Sequence, residues 1–420
     1  MSKEYYFISD LHIGLGEFEK VCAFENELIK FLKSLEEKTT AELIIVGDLF
    51  GFWELNKDLE KDKLIELIKV HKNLFNQFKT TGSKIKIFLV PGNHDYEVKT
   101  NKYKEILKKY NILVSEDILI KEIQNKKIWI EHGHAQDEYN RTLNSESEKP
   151  MSYYATKEIV SSIHNKNNSK NDWILDIQSV QPREDTLNWL FSNYFYKELN
   201  PVFRFIALPF LLFFMFSFFV LIGGYLKKLG IITIPILTTK FSTYFGLFGS
   251  MLDFIIFLDT LIVLVIIIAY LPFIILYKDL KKKFTKFFSF TQNFREVKIE
   301  EYINHAKKLF KENKDVKIFI FGHIHKNFIS KIEEGIIINT GTWIKSLKKI
   351  KAFKLFLLPA VYYPHYKLSI VHIFEENNKI IIENKIIRKE INTHLTWLQK
   401  LAILLVPYKK KSEVTKTTLD

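Results

Sequence analysis

The chain has 420 residues, 47% hydrophobic and 26% charged, with a formal net charge of +13. Those proportions exclude a globally disordered chain and one made only of membrane spans, and the length allows two or three domains. The single cysteine, Cys22, excludes an intrachain disulfide and fits a reducing compartment; the positive charge reads as lysines on solvated helix faces, and without the aromatic-and-arginine surface of a base-reading module no nucleic-acid partner is expected.

In chain order, the N-terminal half alternates strand with helix, which places it in the α/β class. Residues 5–9 form an apolar strand that starts close to Met1 and leaves no room for a cleavable signal peptide. It ends in Asp10-Leu11-His12. Apolar positions recur at three and four residues over 18–38 and 59–79, so each is predicted to be an amphipathic helix. Between and after them, the run 43–46 ends in Gly47-Asp48, 85–90 in Gly92-Asn93-His94-Asp95, and 127–130 in His132-Gly133-His134. Far downstream, a helix over 298–312 leads into the strand 316–321, which ends in Gly322-His323-Ile324-His325.

These five strand ends carry the chemistry. Ligands bind outside the carboxyl ends of strands in an open α/β sheet. Residues two apart on an extended chain point the same way, so Asp10 with His12, and His323 with His325, can each aim two side chains at one place. The mixture of carboxylate, amide and imidazole suits Mn, Fe or Zn better than Ca, and the lack of cysteine ligands argues against a structural zinc site. Two metals about 3.5–4 Å apart would clamp the attacking and leaving oxygens of a phosphoryl displacement. A lone Asp or His at a strand end is ordinarily a turn or cap residue; five such ends in one chain are what point to a site. His71, His164, His305, His365, His372 and His394 match no motif and read as ordinary surface or core histidines.

This order of motifs resembles the calcineurin-like metallophosphoesterases, over residues 1–134 and again over 316–343. The resemblance implies a two-sheet β-sandwich flanked by helices. It also implies that Asp10, His12, Asp48 and His325 hold one divalent metal and that Asp48, Asn93, His132 and His323 hold a second, Asp48 bridging the two. Mn is the first expectation, with Fe or Zn as alternatives. His94 would contact the phosphate or protonate the leaving oxygen, with Asp95 orienting its ring, and Asn93 and His134 are further candidates for substrate contact. Asp48-Leu49-Phe50 followed by Trp53 is similar to the UDP-2,3-diacylglucosamine hydrolases of lipid A synthesis, which cut a UDP-linked diacylated sugar and carry a helical insertion that holds acyl chains. The chain departs from those enzymes at His94, where they have arginine, and at His134, where they have aspartate. The expected function is a phosphoesterase acting on a lipid-linked phosphoester or pyrophosphate. The alternatives are a membrane-anchored phosphatase or phosphodiesterase for soluble nucleotides or phosphoproteins, and a noncatalytic binding protein on the same scaffold.

The insertion between the fourth and fifth motifs holds two runs, 202–226 and 254–277, that are apolar on every face and each about long enough to cross a bilayer core. They are predicted to form a membrane-spanning hairpin. The motifs on either side must meet, so the chain must cross an even number of times. Lys278, Lys281, Lys282, Lys283 and Lys286 then place the catalytic side in the cytoplasm, making an integral protein of the cytoplasmic membrane with the lipid bilayer as a partner. The expected organisation is an N-terminal catalytic part over 1–150, a helical cap over 151–200, the hairpin over 201–284, a C-terminal catalytic part over 285–390, and an amphipathic segment with a basic tail over 391–420. Within the last two, 335–339 reads as a strand, 368–374 and 379–387 as a hairpin, 395–406 as an apolar segment with flanking lysines that either lies on a membrane surface or packs against the catalytic part, and 411–420 as disordered.

Overall fold

The computed structural model describes residues 3–53, except 15–22, then 55, 62–137, 140, 153–154, 179–180 and 185–200. Beyond these it describes 215–258, except 221, 232–239 and 242, then 261–262, 264–265, 299–352, 358–390, 395–404 and 413–419. Two sheets face each other. The first runs in the order β13 (Glu413–Leu419), β12 (Lys379–Glu390), β11 (Val361–Glu376), β1 (Glu4–Ile8), β2 (Ala41–Val46), β3 (Lys86–Val90), β4 (Ile112–Val114), with β10 (Lys345–Ile350) also paired to β11. The second runs β5 (Ile118–Ile123), β6 (Lys126–Glu131), β7 (Val316–Phe321), β9 (Gly335–Asn339), β8 (Phe328–Ile332).

The apolar runs form strands because both of their faces are covered, which is why they do not alternate with polar residues. Tyr5, Phe7, Ile44, Val46 and Val90 point inward and meet Ile128, Ile130, Ile318, Ile320, Ile336 and Ile338 of the other sheet. The intervening Tyr6, Ile8, Leu43, Ile45, Ile87 and Leu89 point outward under α1 (Glu25–Leu35), α2 (Lys63–Val70) and α3 (Lys72–Gly82). On the far side, Tyr302, Ala306, Leu309 and Phe310 of a helix over Ile299–Glu312 cover Phe319, Phe321 and Ile337. The result is a helix–sheet–sheet–helix sandwich. Strand β7 lies parallel to β6, so the stretch before the insertion and the stretch after it share one sheet.

Several boundaries differ from the sequence reading. The helix expected over 59–79 is two helices, broken at His71, whose backbone (φ −101°, ψ 37°) leaves the helical region. The hairpin is longer than expected and turns on Asn377 and Asn378, both at positive φ, as a two-residue hairpin turn requires. The tail expected to be disordered forms β13, which pairs antiparallel with β12. Its β-branched Val414, Thr415, Thr417 and Thr418 suit a strand, and Leu419 packs against the inner core.

The membrane-spanning hairpin needs a larger correction. No helix among the described residues is long and apolar enough to cross a membrane, so neither the spanning insertion nor the integral membrane location is supported. The described helical residues there are 215–220, 222–228, 243–258, 261–262 and 264–265. Gly230, at φ +74°, follows the second, and a bond from Ile231 N–H to the Leu226 carbonyl (2.9 Å) closes the helix end. Apolar side chains such as Tyr244, Leu247, Phe248 and Phe254 are exposed along 243–258. Much of both apolar runs, namely 202–214, 221, 259–260, 263 and 266–277, lies outside the described residues, as do the lysines at 278–286 and most of the expected cap before residue 185.

Candidate metal centre

The parallel strands β1, β2 and β3 of the first sheet and β6 and β7 of the second end at one rim of the sandwich. The loops that leave them are stitched together by main-chain bonds. Asp10 N–H donates to Gly47 O (3.1 Å), Leu11 and His12 N–H donate to Asp48 O (2.9 and 3.0 Å), and Gly322 N–H donates to His132 O (3.0 Å). The loops approach so closely that a side chain is excluded at Gly47, Gly92 and Gly322. A Cβ at Gly92 would lie 2.1 Å from Asp48 Oδ1, and one at Gly47 would lie 2.2 Å from His132 Nδ1.

The backbone is strained where the candidate ligands sit. Asp10, His12, Asp48, His323 and His325 all have positive φ, between 47° and 67°. The other described non-glycine residues with positive φ are all Asn or Gln. Such outliers cost of order 1–3 kcal/mol each and persist where surrounding structure enforces them, as at functional sites.

Asp48 is the centre of the arrangement. Its Oδ1 accepts from His94 N–H (2.9 Å), which leaves Oδ2 facing two imidazoles: His12 Nε2 at 3.5 Å and His132 Nε2 at 3.2 Å. On one side of that oxygen, His325 Nε2 lies 3.1 Å from Asp10 Oδ1. On the other, Asn93 Oδ1 lies 3.0 Å from His132 Nε2 and 3.2 Å from His323 Nδ1. The seven residues proposed from the sequence as ligands therefore line one continuous site. His132 is held by its other nitrogen, which donates to the Val46 carbonyl (2.9 Å) and leaves Nε2 free to face the site.

Electrostatics agree with a site built for cations. Asp10 and Asp48 are fully buried, which alone would raise their pKa values; His325 facing Asp10, and His132, His94 and His12 around Asp48, outweigh that and hold both carboxyls below their ordinary range. Burial opposes a charge on His132 as well, but the Asp48 and Asp10 carboxylates push it up to about 10. Burial, with His132 and His323 nearby, pulls His134 down to about 3. Three sets of side chains bring their donor atoms within 4.8 Å of one another: Asp10, His12 and His325; His12, Asp48 and His94; and Asp10, Asp48 and His132. Buried carboxylate, amide and imidazole donors at this spacing fit a pair of divalent cations.

Some roles differ from those expected. Asp95 does not spend its carboxylate on the His94 ring. It accepts from Gly92 N–H (2.8 Å) and Phe50 N–H (3.2 Å), tying the third motif to the second, and burial beside Asp48 pushes it up to about 6. The His94 ring instead lies against Trp53 and meets His12 edge-on, with centroids 4.1 and 4.4 Å away. His134 is partly exposed, but its Nδ1 is buried without a hydrogen bond and its ring sits 5.6 Å from that of His132. His71, set aside as ordinary, bridges Glu25 and the Gly14 carbonyl (both 2.7 Å) and so anchors the chain just after His12.

Sequence reasoning missed Asp137 and Asn140. Asp137 Oδ2 lies 2.9 Å from His323 Nε2, and Asn140 Oδ1 accepts from Asn93 Nδ2 (3.2 Å). The signal available was an Asp and an Asn three apart, just after His132-Gly133-His134. Ser9 and Thr340, which join in a hydroxyl chain to Asp10, were missed too.

Residues 4–207 match the family model of calcineurin-like phosphoesterases, a span that holds Asp10 to His134 but not His323 or His325. No curated protein matches the chain by sequence. Among solved structures, a protein of unknown function from Aquifex aeolicus is 26% identical, over 40% of this chain and 75% of that one, at a TM-score of 0.21. A dimetal phosphatase from Danio rerio is 9% identical, over 93% and 96% of the two chains, at a TM-score of 0.34. Vps29 from Entamoeba histolytica is 9% identical over 99% of each chain, at a TM-score of 0.31.

Proposed function

We propose that this chain, whose residues 4–207 match the calcineurin-like phosphoesterase family, is a phosphoester hydrolase that works through a dinuclear centre bridged by Asp48. The observation that carries the reading is the placement of Asp48 Oδ2 between His12 Nε2 and His132 Nε2, at 3.5 and 3.2 Å. Asp10, His12, Asp48 and His325 would hold one cation, and Asp48, Asn93, His132 and His323 the other, with Mn the first candidate and Fe or Zn the others. When bound, such a pair neutralises phosphoryl oxygens and activates water as the nucleophile.

The protein's own contribution is orientation and proton transfer. The strained loops hold carboxylate and imidazole atoms facing one another at one place. His94 is half-buried, its ring stacked on Trp53 and edge-on to His12. Stacked on Trp53 and close to Asp48, it is placed to donate a proton to the leaving oxygen.

The substrate class we propose is an acylated one, of the UDP-linked diacylated sugar type. What supports it is the row of exposed apolar side chains over 243–258, inside the segment that separates His134 from His323. Burying acyl methylenes there would contribute about 0.8 kcal/mol each. The test has two steps. Purified full-length protein with Mn should hydrolyse a simple phosphodiester such as bis(p-nitrophenyl) phosphate, and no metal-dependent turnover on any phosphoester would overturn the reading. In detergent, kcat/KM should be higher for the acylated UDP-sugar than for its deacylated counterpart. Equal values would shift the substrate to soluble nucleotides.

A further inference from the structure

Asp137 is presented by a short turn. Gly133, at φ +96°, ends the run from β6, a 3₁₀ turn over His134–Gln136 follows, and Asp137 N–H closes it on the His134 carbonyl (3.1 Å). Its side chain is buried, at 4% exposure. One oxygen, Oδ2, faces two groups: His323 Nε2 at 2.9 Å and Asn140 Nδ2 at 2.6 Å.

We propose that Asp137 is a positioning residue that orients two candidate ligands at once, His323 and Asn93, and so builds the second of the two cation positions; the inference rests on the dinuclear reading above. An ionised carboxylate only accepts hydrogen bonds. The imidazole nitrogen facing it must therefore carry the proton, which puts the His323 lone pair on Nδ1, the atom 3.2 Å from Asn93 Oδ1. The same carboxylate demands the nitrogen end of the Asn140 amide. Asn140 Oδ1 must then face away, where it accepts from Asn93 Nδ2 (3.2 Å). With its nitrogen so engaged, Asn93 presents Oδ1 toward His132 Nε2 and His323 Nδ1.

Asn140 Nδ2 also lies 3.2 Å from His323 Nε2, and the Asp137 carboxylate facing both accepts from both. Turning the Asn140 amide over would set its oxygen against the carboxylate and its nitrogen against that of Asn93. Turning Asn93 would aim N–H groups into the cation position. Of the four atoms that face this position, Asp48 Oδ2 and His132 Nε2 are fixed by other contacts, whereas Asn93 Oδ1 and His323 Nδ1 take their direction from Asp137. The first position is built from Asp10, His12, Asp48 and His325, from the loops after β1, β2 and β7.

The test is a metal count. Full-length protein is stripped with a chelator and titrated with Mn(II), the free ion being read by electron paramagnetic resonance. Wild type should take up two ions. Asp137→Asn keeps shape but can turn an amide nitrogen toward its partners, and one ion should bind about 10–100-fold more weakly while the other keeps its affinity. Asn140→Leu cuts only the relay to Asn93 and should weaken the same ion by less; it also carries the test if Asp137→Asn does not fold, which melting of the metal-free proteins reports. Two ions at wild-type affinity in Asp137→Asn would overturn the proposal, as would equal weakening of both. A wild type that binds no Mn would instead overturn the dinuclear reading beneath it.

Discussion

The imidazole of His94 lies against the indole of Trp53, ring centroids 4.1 Å apart and planes 28° apart. Trp53 comes from the loop after β2 and His94 from the loop after β3, so the stack joins two motifs through their side chains. Tyr153 meets the other ring of the pair edge-on, 5.6 Å from Trp53. Trp53 is only 4% exposed, so it is a fixed wall against which the half-buried His94 ring rests.

His94→Ala should therefore keep both metal ions and lose about 10²-fold or more in kcat, the range that a general acid contributes. Trp53→Leu should keep the ions too and lower kcat by about 10-fold with little change in KM, because the proton donor is still present but no longer held in place. Steady-state kinetics beside metal analysis checks both, and unchanged turnover in His94→Ala would remove it from the reaction.

Asp48→Asn should do more damage than any other single change at the site. It removes charge from the one oxygen that faces both His12 and His132, so metal content should fall and rate should drop by at least ~10²-fold. A fully active Asp48→Asn protein would rule out the bridge.

Gly92→Ala tests the close packing of the loops. The added Cβ would meet Asp48 Oδ1 at 2.1 Å and Asp48 N at 2.4 Å, and main chain cannot yield as a flexible side-chain tip can. We expect about 1–3 kcal/mol of destabilisation, seen as a lower Tm of the metal-free protein. A wild-type Tm would mean that the loops are not held against each other.

His365 gives a pH prediction away from the metals. Burial, with Lys367 nearby, pulls it down to about 4. In the unfolded chain the ordinary value is about 6.5. As pH falls from about 6.5 toward about 4, the unfolded state takes up a proton that the folded state refuses, so the folded state loses stability over that window. Urea unfolding of the metal-free protein should show this decline, and His365→Gln should flatten part of it. Parallel curves for the two proteins would show that His365 titrates alike in both states.

The sequence alone located the strands, since parallel strands covered on both faces must be apolar throughout, and that pattern needs no knowledge of neighbours. It also located the ligand candidates, because the rim of such a sheet is where a chain leaves its strands and Asp, His and Gly at those ends stand out. Three things were settled only in three dimensions. The direction of Asn93 and His323 depends on Asp137 and Asn140, residues of another loop whose role comes from whom they face. The partner of His94 is Trp53 and not the adjacent Asp95, since a side chain bonds to what lies nearest in space and Asp95 is captured by Phe50 and Gly92 N–H groups. The apolar runs of the insertion were read as membrane spans, yet no helix among the described residues is long and apolar enough to cross a membrane. Hydropathy states that side chains avoid water; it does not state how far a helix continues.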